Sequence, residues 1–444
     1  MPSAYDSFGR IERAQRQAMV PELAIESLRH QVRPEVSLLA FGNGKSYGDS
    51  CHNDAGRLVP MRSRWTISGF DAATGVLNAE AGATLEEIIA HAAPHGFFLP
   101  VTPGTRFVTL GGAIANDVHG KNHHRRGTFG AHVEGLDLLR SDGVVYHCTR
   151  QSHPDLFAAT IGGMGLTGLI LAASIRLMKV GSLDIIETVT PFAGLDDYFD
   201  RAEGADAENE YAVAWVDQLS SGNRGVLLTG NHAGNGNFET DRSATRLTVP
   251  FDLPVSVLNG WSLTPFNWAY FHAKARKRGP HPSRYGSFFY PLDAVGHWNR
   301  LYGPKGLFQH QSVIPLAAAR EAVPALLAAS REAGEASFLT VLKRFGDVAS
   351  PGILSFPRPG YTLTMDFSNR GAPTGKLLAR LDAITVAAGG RVNPYKDQRM
   401  SAATFAAGFP EWERLERQRD PRFLSDFWRR TALALEHAPA LAAE

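Results

Sequence analysis

Side chains able to do chemistry are concentrated in a few short segments of this 444-residue chain. The densest is HGKNHHRR, in which His119, Lys121, His123 and His124 lead into Arg125 and Arg126. Clustered histidines can hold a metal, but the cationic neighbours oppose one, and no HExxH-type spacing occurs. The plain alternative is a basic surface loop. Lys396, in YKDQR, follows a predicted strand. A lysine serves as a base only where burial or nearby cations lower its pKa, and by residue type alone it reads as a solvated lysine paired with Asp397. Gln309 and Gln311 stand two apart on a β-type run and so share a face. Lys343, in the next strand, is a basic residue among apolar ones, which suits a phosphate partner.

Three glycine-rich segments accompany them: FGNGKSYGDS, PGTRFVTLGGAIANDVHGKNHH (103–124) and GGMGLTGLI (162–170). The first holds two lookalikes that fail. Gly44-Lys45-Ser46 ends like a P-loop, but that motif needs glycine where Leu39 stands, and a dinucleotide fingerprint needs one where Tyr47 stands. Close-set glycines still let backbone N–H groups converge on an anion. One such turn is ordinary; three in one region, two of them after strands, point to a pyrophosphate-containing cofactor.

The elements around these segments follow from pattern. VSLLAF (36–41) and VLNAEAG (76–82) read as strands. TLEEIIAHAAPHG reads as a helix with a Thr84/Glu87 capping box and Gly96 as its stop. EGLDLLRSDGVVYHCT carries an Asp142-Gly143 hairpin signal, and GLILAASIRLM is a further strand. Up to about residue 180 this is one α+β domain. Two strand–helix–strand units follow: GLFQHQSVIP, a helix over 316–333 and SFLTVLKRFG; then YTLTMDFS, a helix near 374–388 and GRVNPYKD. They suit an antiparallel sheet backed by helices. The stretch 245–290, rich in Pro, aromatics, Lys and Arg without a clear period, reads as a long loop or lid.

Composition sets the limits. Hydrophobic residues make up 44%, charged residues 20%, and net charge is +1, so nothing global points to nucleic acid. Cys51 and Cys148 are too few for a disulfide framework or a cysteine zinc site. The first twenty residues lack a secretory apolar run and no stretch is long enough to span a membrane. The expectation is a cytoplasmic protein acting on small molecules.

GNGKSYGD, then PGTRFVTLGGAIANDVHGKNHH, then GGMGLTG, resembles the FAD-binding domain of the vanillyl-alcohol-oxidase superfamily. HGKNHH (119–124), QHQSVIP (309–315), SFLTVLKRFG (337–346), LSFPRPGY (354–361), MDF (365–367) and GGRVNPYKDQR (389–399) extend the resemblance over nearly the whole chain, to the decaprenylphosphoryl-β-D-ribose oxidases. It implies an α+β fold: a two-subdomain PCMH-type FAD-binding domain over 1–180, an antiparallel-sheet substrate domain over 181–390 with a lid near 245–290, and a return to the FAD domain over 391–444. It implies non-covalent FAD, since Lys45, Ser46 and Tyr47 stand where relatives carry a linking histidine. The cofactor residues would be Gly42, Asn43, Gly44, Lys45, Ser46, Tyr47 and Gly48; Pro103, Gly104, Thr105, Thr109, Gly111, Gly112, Ala115, Asn116, His119, Gly120 and Asn122; and Gly165, Gly168 and Ile170. Lys396 matches the family's active-site lysine and would act as base. His119, kept neutral by like-charge crowding, would accept or relay a proton, and Tyr47 would lie near flavin and sugar. Lys121 would lie beside the flavin and the sugar ring, Gln309 and Gln311 would touch the sugar, and Lys343 would meet the phosphate.

The implied reaction is oxidation of a sugar hydroxyl, at C2 of a polyprenyl-phosphate-linked ribose, as the first half of a 2′-epimerisation. A separate NAD(P)-dependent short-chain reductase would perform the second half. Two departures stand out: Thr364 replaces a cysteine of the mycobacterial pattern, and Thr362 replaces a usual amide, which bears on the sugar contacts. The alternatives are another sugar, alditol or aldonolactone oxidase, whose HWGK-like ending is YKDQR here, or a non-catalytic flavin- or polyprenyl-binding scaffold. Trp261, Phe266, Trp268, Tyr270 and Phe271, followed by Lys274, Arg276, Lys277 and Arg278, are what a membrane-surface contact needs, the alternative being a core segment whose aromatics are buried.

Overall fold

In the computed structural model, residues 5–32, 36–240, 247–277 and 279–436 are described. The glycine-rich part folds as expected. The helix Leu85–Ala92 starts with a complete Thr84/Glu87 capping box, and Gly96, with φ 80°, ends the 3₁₀ turn Ala93–His95 that follows it. Five antiparallel strands form one sheet in the order Ile67–Asp71, Val76–Glu80, Leu169–Arg176, Val133–Leu139, Val145–Thr149. The last pair is the hairpin at Asp142-Gly143, where Gly143 takes φ 82°. The first strand, Leu38–Phe41, pairs parallel with Arg57–Pro60 and also receives the chain's far end: Leu38 N–H donates to Arg422 O at 2.7 Å. Helices Ala402–Gly408, Trp412–Gln418 and Asp426–Arg430 bury Phe405, Leu415, Phe427 and Trp428 in one core with Leu39, Leu58 and Leu166.

The second layer is an eight-stranded sheet, ordered Gly279–Ser283, Ile185–Phe192, Gly225–His232, Tyr211–Val216, Val341–Phe345, Gly360–Ser368, Leu307–Ile314, Arg391–Val392. Each strand alternates its side chains between two faces. One face sends Ala214, Leu227, Leu342, Leu363, Met365 and Phe367 against helices Leu195–Glu208, Leu316–Glu332 and Ala372–Ala387. The alternate residues, including Gln309, Gln311, Lys343, Thr362, Thr364 and Asp366, face the other way.

The 245–290 stretch is not the loop its sequence suggested. It contains a sixteen-residue helix, Gly260–Ala275, then strand Gly279–Ser283 and helix Tyr285–Phe289. Asn259 caps the long helix, accepting from Trp261 N and Ser262 N, and Pro265 falls early, in its second turn. Its period was hidden because both sides are apolar. Leu263 packs inward and Tyr270 packs against Trp215, while Trp261 is 93% exposed and Trp268 56%. A stripe rule detects a helix only when its faces differ. Arg278 and residues 245–246 lie outside the described residues. Among the described residues, no helix is long and apolar enough to cross a membrane.

Candidate active site

The glycine segments and the free face of the eight-stranded sheet enclose one cavity of about 1130 Å³. Every expected cofactor residue lines it except Gly48 and Asn122. Gly48 instead lets two backbones meet: a Cβ there would lie 1.7 Å from Asp397 O. Asn122 is buried in the wall, donating to Pro100 O and to Glu210. The remaining glycine segments fit a dinucleotide, since they offer backbone rather than side chains along one side of a long cavity. Gly104 has nothing within 4 Å of an added Cβ, and Gly44 and Gly165 take φ 59° and 74°.

Sheet register sets the opposite side. Gln309 stands across from Asp366 and Gln311 from Thr364, while Lys343 stands across from Thr362. Gln309 Nε2 donates to Asp366 Oδ1 at 2.6 Å. Asn393 Nδ2 donates to Gln311 Oε1, which orients that amide so that its Nε2 reaches Thr362 Oγ1 at 3.0 Å and His119 Nε2 at 3.1 Å. Thr362, the departure from the usual amide, therefore takes part in the network as an acceptor. The donor from Gln311 makes His119 Nε2 the acceptor and leaves the proton on Nδ1.

Lys396 is not the solvated lysine that residue type alone suggested. Its Nζ lies in the cavity, 5.6 Å above the Tyr47 ring. Asp397 is turned away, accepting from Arg399 N, Met400 N and Arg430. Burial lowers the Lys396 pKa, opposed by the Asp366 carboxylate; burial raises Asp366, opposed by Gln309 and Lys396. Burial and then the Tyr47–Asp366 proximity raise the Tyr47 phenol. Burial holds His119 well below the usual histidine range, helped by Lys343, Lys396 and His123. Lys343 falls to about 7 through burial, Lys396 and Lys121, and Lys121 to about 8, chiefly through burial. Such a site carries a neutral histidine, lysines that titrate near neutrality, and net positive charge suited to an anion.

His123 and His124 stay outside this constellation. His123 packs on Phe345 with centroids 4.5 Å apart, and His124 sits 3.5 Å from Asp206. Asp366 was not singled out from the sequence, although a carboxylate in the apolar run YTLTMDF signals a buried charge that needs a partner. Asn393 and Tyr395 were also missed. The Tyr395 hydroxyl lies 2.8 Å from both Gly162 O and Leu354 O, joining the third glycine segment to the turn that carries Lys396.

A family model described as an FAD binding domain matches residues 23–149. The chain is 35% identical over 422 residues to a decaprenylphosphoryl-β-D-ribose oxidase of Mycolicibacterium smegmatis, covering 89% of each protein. It is 33% identical over 375 residues to an uncharacterized Streptomyces coelicolor protein, covering 79% of this chain and all of the relative. Mouse L-gulonolactone oxidase is 27% identical over 170 residues, 38% of each chain.

Proposed function

Because the chain belongs to the decaprenylphosphoryl-β-D-ribose oxidase family, and so is an FAD-dependent oxidoreductase acting on a sugar hydroxyl, we propose that it oxidises C2 of a polyprenyl-phosphate-linked ribose to the keto sugar. The observation that carries this reading is the cavity itself. Glycine backbone lines one side, and the other combines Lys396, His119 and two glutamines with the cationic pair Lys121 and Lys343, with Asp366 buried against Gln309. Residues 1–180 and 391–444 form the FAD domain in this reading and 181–390 the substrate domain; the C-terminal helices packed on Leu39 and Leu58 support that division.

When bound, FAD supplies the hydride acceptor. Lys396, its pKa lowered by burial, takes the hydroxyl proton, and the charge of the Asp366 carboxylate favours the resulting ammonium. Gln309 and Gln311 orient the sugar, His119 stays neutral and fixes Gln311, and Lys121 and Lys343 neutralise the phosphate. No second nucleotide fingerprint occurs in the sequence, so a separate NAD(P)-dependent reductase completes the epimerisation.

The Gly260–Ala275 helix supports a peripheral membrane contact, with Trp261 and Trp268 exposed along it and Arg276 and Lys277 exposed at its C-terminal end. Trp261→Ser with Trp268→Ser is expected to weaken liposome co-sedimentation while soluble substrate is still oxidised; unchanged sedimentation overturns that contact. For the activity, anaerobic mixing with a farnesylphosphoryl-ribose should bleach the flavin and yield a keto sugar. An unbleached flavin, or the arabino epimer formed by this protein alone, overturns the reading.

A further inference from the structure

The sheet face that carries Gln309, Gln311 and Asp366 continues past them and changes character. Lys343 and Val341 are two residues apart and share the cavity face. Val341 stands opposite Trp215, and Val213, two residues from Trp215, stands opposite Leu228. Leu339 extends this wall, and Tyr270 of the Gly260–Ala275 helix covers it, its ring 4.7 Å from Trp215. The apolar arm spans two inter-strand steps, roughly 10 Å. At its start stand the cations: Lys343 on the sheet, and Lys121 facing it with its Nζ 4.4 Å over the Phe288 ring.

A cationic junction with a polar stripe on one side and an apolar arm on the other fits a single ligand class, an anionic head joined to a hydrocarbon tail. A sugar phosphate alone leaves the arm against water. A purely apolar ligand leaves the buried Lys343, which lies near the cations Lys396 and Lys121, without a counter-charge. The covering helix extends the path, because its outer side is apolar as well.

We propose that this arm binds the phosphate-proximal isoprene units of the prenyl chain, about two of them, with the phosphate between Lys121 and Lys343 and the rest of the chain leaving beneath the Gly260–Ala275 helix. This rests on the prenyl-phosphate substrate reading above. Chain length is then read by Leu228, Trp215 and Val341, while the polar stripe reads only the sugar.

Two measurements on the flavin-loaded, full-length protein test it. The first is competition by isopentenyl, geranyl and farnesyl phosphate, without sugar, followed by flavin absorbance. Affinity should rise on the order of 100-fold from isopentenyl to farnesyl, a discounted share of the transfer energy of the added carbons. The second is the ratio of kcat/KM for C15 against C5 phosphoribose substrates, each normalised within one variant. Leu228→Gln and Val341→Thr should each lower that ratio about tenfold. Farnesyl phosphate binding no tighter than isopentenyl phosphate, or a ratio unchanged in both flavin-loaded variants, overturns the arm even if phosphoriboses bleach the flavin. The opposite pattern, length-dependent binding without any bleaching, keeps the arm and overturns the oxidase reading.

Discussion

Replacing Asp366 by Asn isolates the electrostatic link on which the proposed base depends. Asp366 is buried on the same sheet face as Gln309, which donates to its Oδ1 at 2.6 Å, and its carboxylate opposes the burial that lowers Lys396. The amide keeps the shape and an acceptor oxygen for Gln309 but removes the charge. An opposite charge at close range is worth roughly 1–3 pKa units; taking the lower half, the Lys396 pKa falls by about 1–2 units. The acid limb of the flavin-reduction rate at saturating substrate, which reports deprotonation of Lys396, should move to lower pH by that amount. A less basic lysine is also a weaker proton acceptor. With a Brønsted slope of about one half, the alkaline plateau should drop ~3–10-fold and the rate well below the limb should rise by a similar factor. The two profiles should therefore cross. Stopped-flow reduction from pH 6 to 9.5 measures both effects, and an unchanged melting temperature confirms that the fold survives. A limb that stays in place or moves to higher pH refutes the assignment of Asp366 as the counter-charge of Lys396.

Lys396→Ala should retain FAD and the fold while flavin reduction falls ~10²–10⁴-fold; reduction near the wild-type rate would remove Lys396 as base. Denaturation in acid should release intact FAD, since Lys45, Ser46 and Tyr47 occupy the first glycine segment; flavin retained on the polypeptide would contradict non-covalent binding. Lys343 at about 7 and Lys121 at about 8 lie below the unfolded lysine value, so the folded apoprotein binds fewer protons than the unfolded chain above pH 7. Its melting temperature should accordingly rise from pH 7 to 9, while the affinity for farnesyl phosphate falls over the same range as the cations are lost. Scanning calorimetry and competition titrations check the two signs, and a melting temperature that falls would show that these lysines are not held down.

Most of the fold was legible because its elements carry local signals. The Thr84/Glu87 box, the Asp142-Gly143 hairpin and the alternation in FQHQSVI are each complete within a few residues. The Gly260–Ala275 helix was not legible, since a helix with two apolar sides has no contrast to detect. The site was legible in its unusual residues, Lys396, His119 and the paired glutamines. It was not legible in Asp366, whose importance depends on the strand opposite, nor in Gly48, whose need for a missing side chain depends on Asp397 arriving from far along the chain.

That last contact belongs to a larger arrangement that explains why the chain's end is needed for a site begun near its start. Tyr47 and Lys396 meet in the cavity, yet each sits on a turn with little regular structure of its own. Arg430, from a C-terminal helix, holds both turns. Its Nε and Nη2 reach the two Asp49 oxygens at 2.6 and 3.0 Å, its Nη2 reaches Asp397 at 2.9 Å, and its Nη1 donates to Met400 O at 2.6 Å. Asp397 in turn accepts from Arg399 N and Met400 N, and Arg399 grips Asp382 on a helix behind the sheet. A lysine at that position has only a flexible point charge and cannot span two carboxylates and a carbonyl with fixed geometry. The clamp leaves both side chains free for the cavity while fixing their backbones. The separation between the proposed base and the phenol is thus set by a guanidinium that touches neither of them.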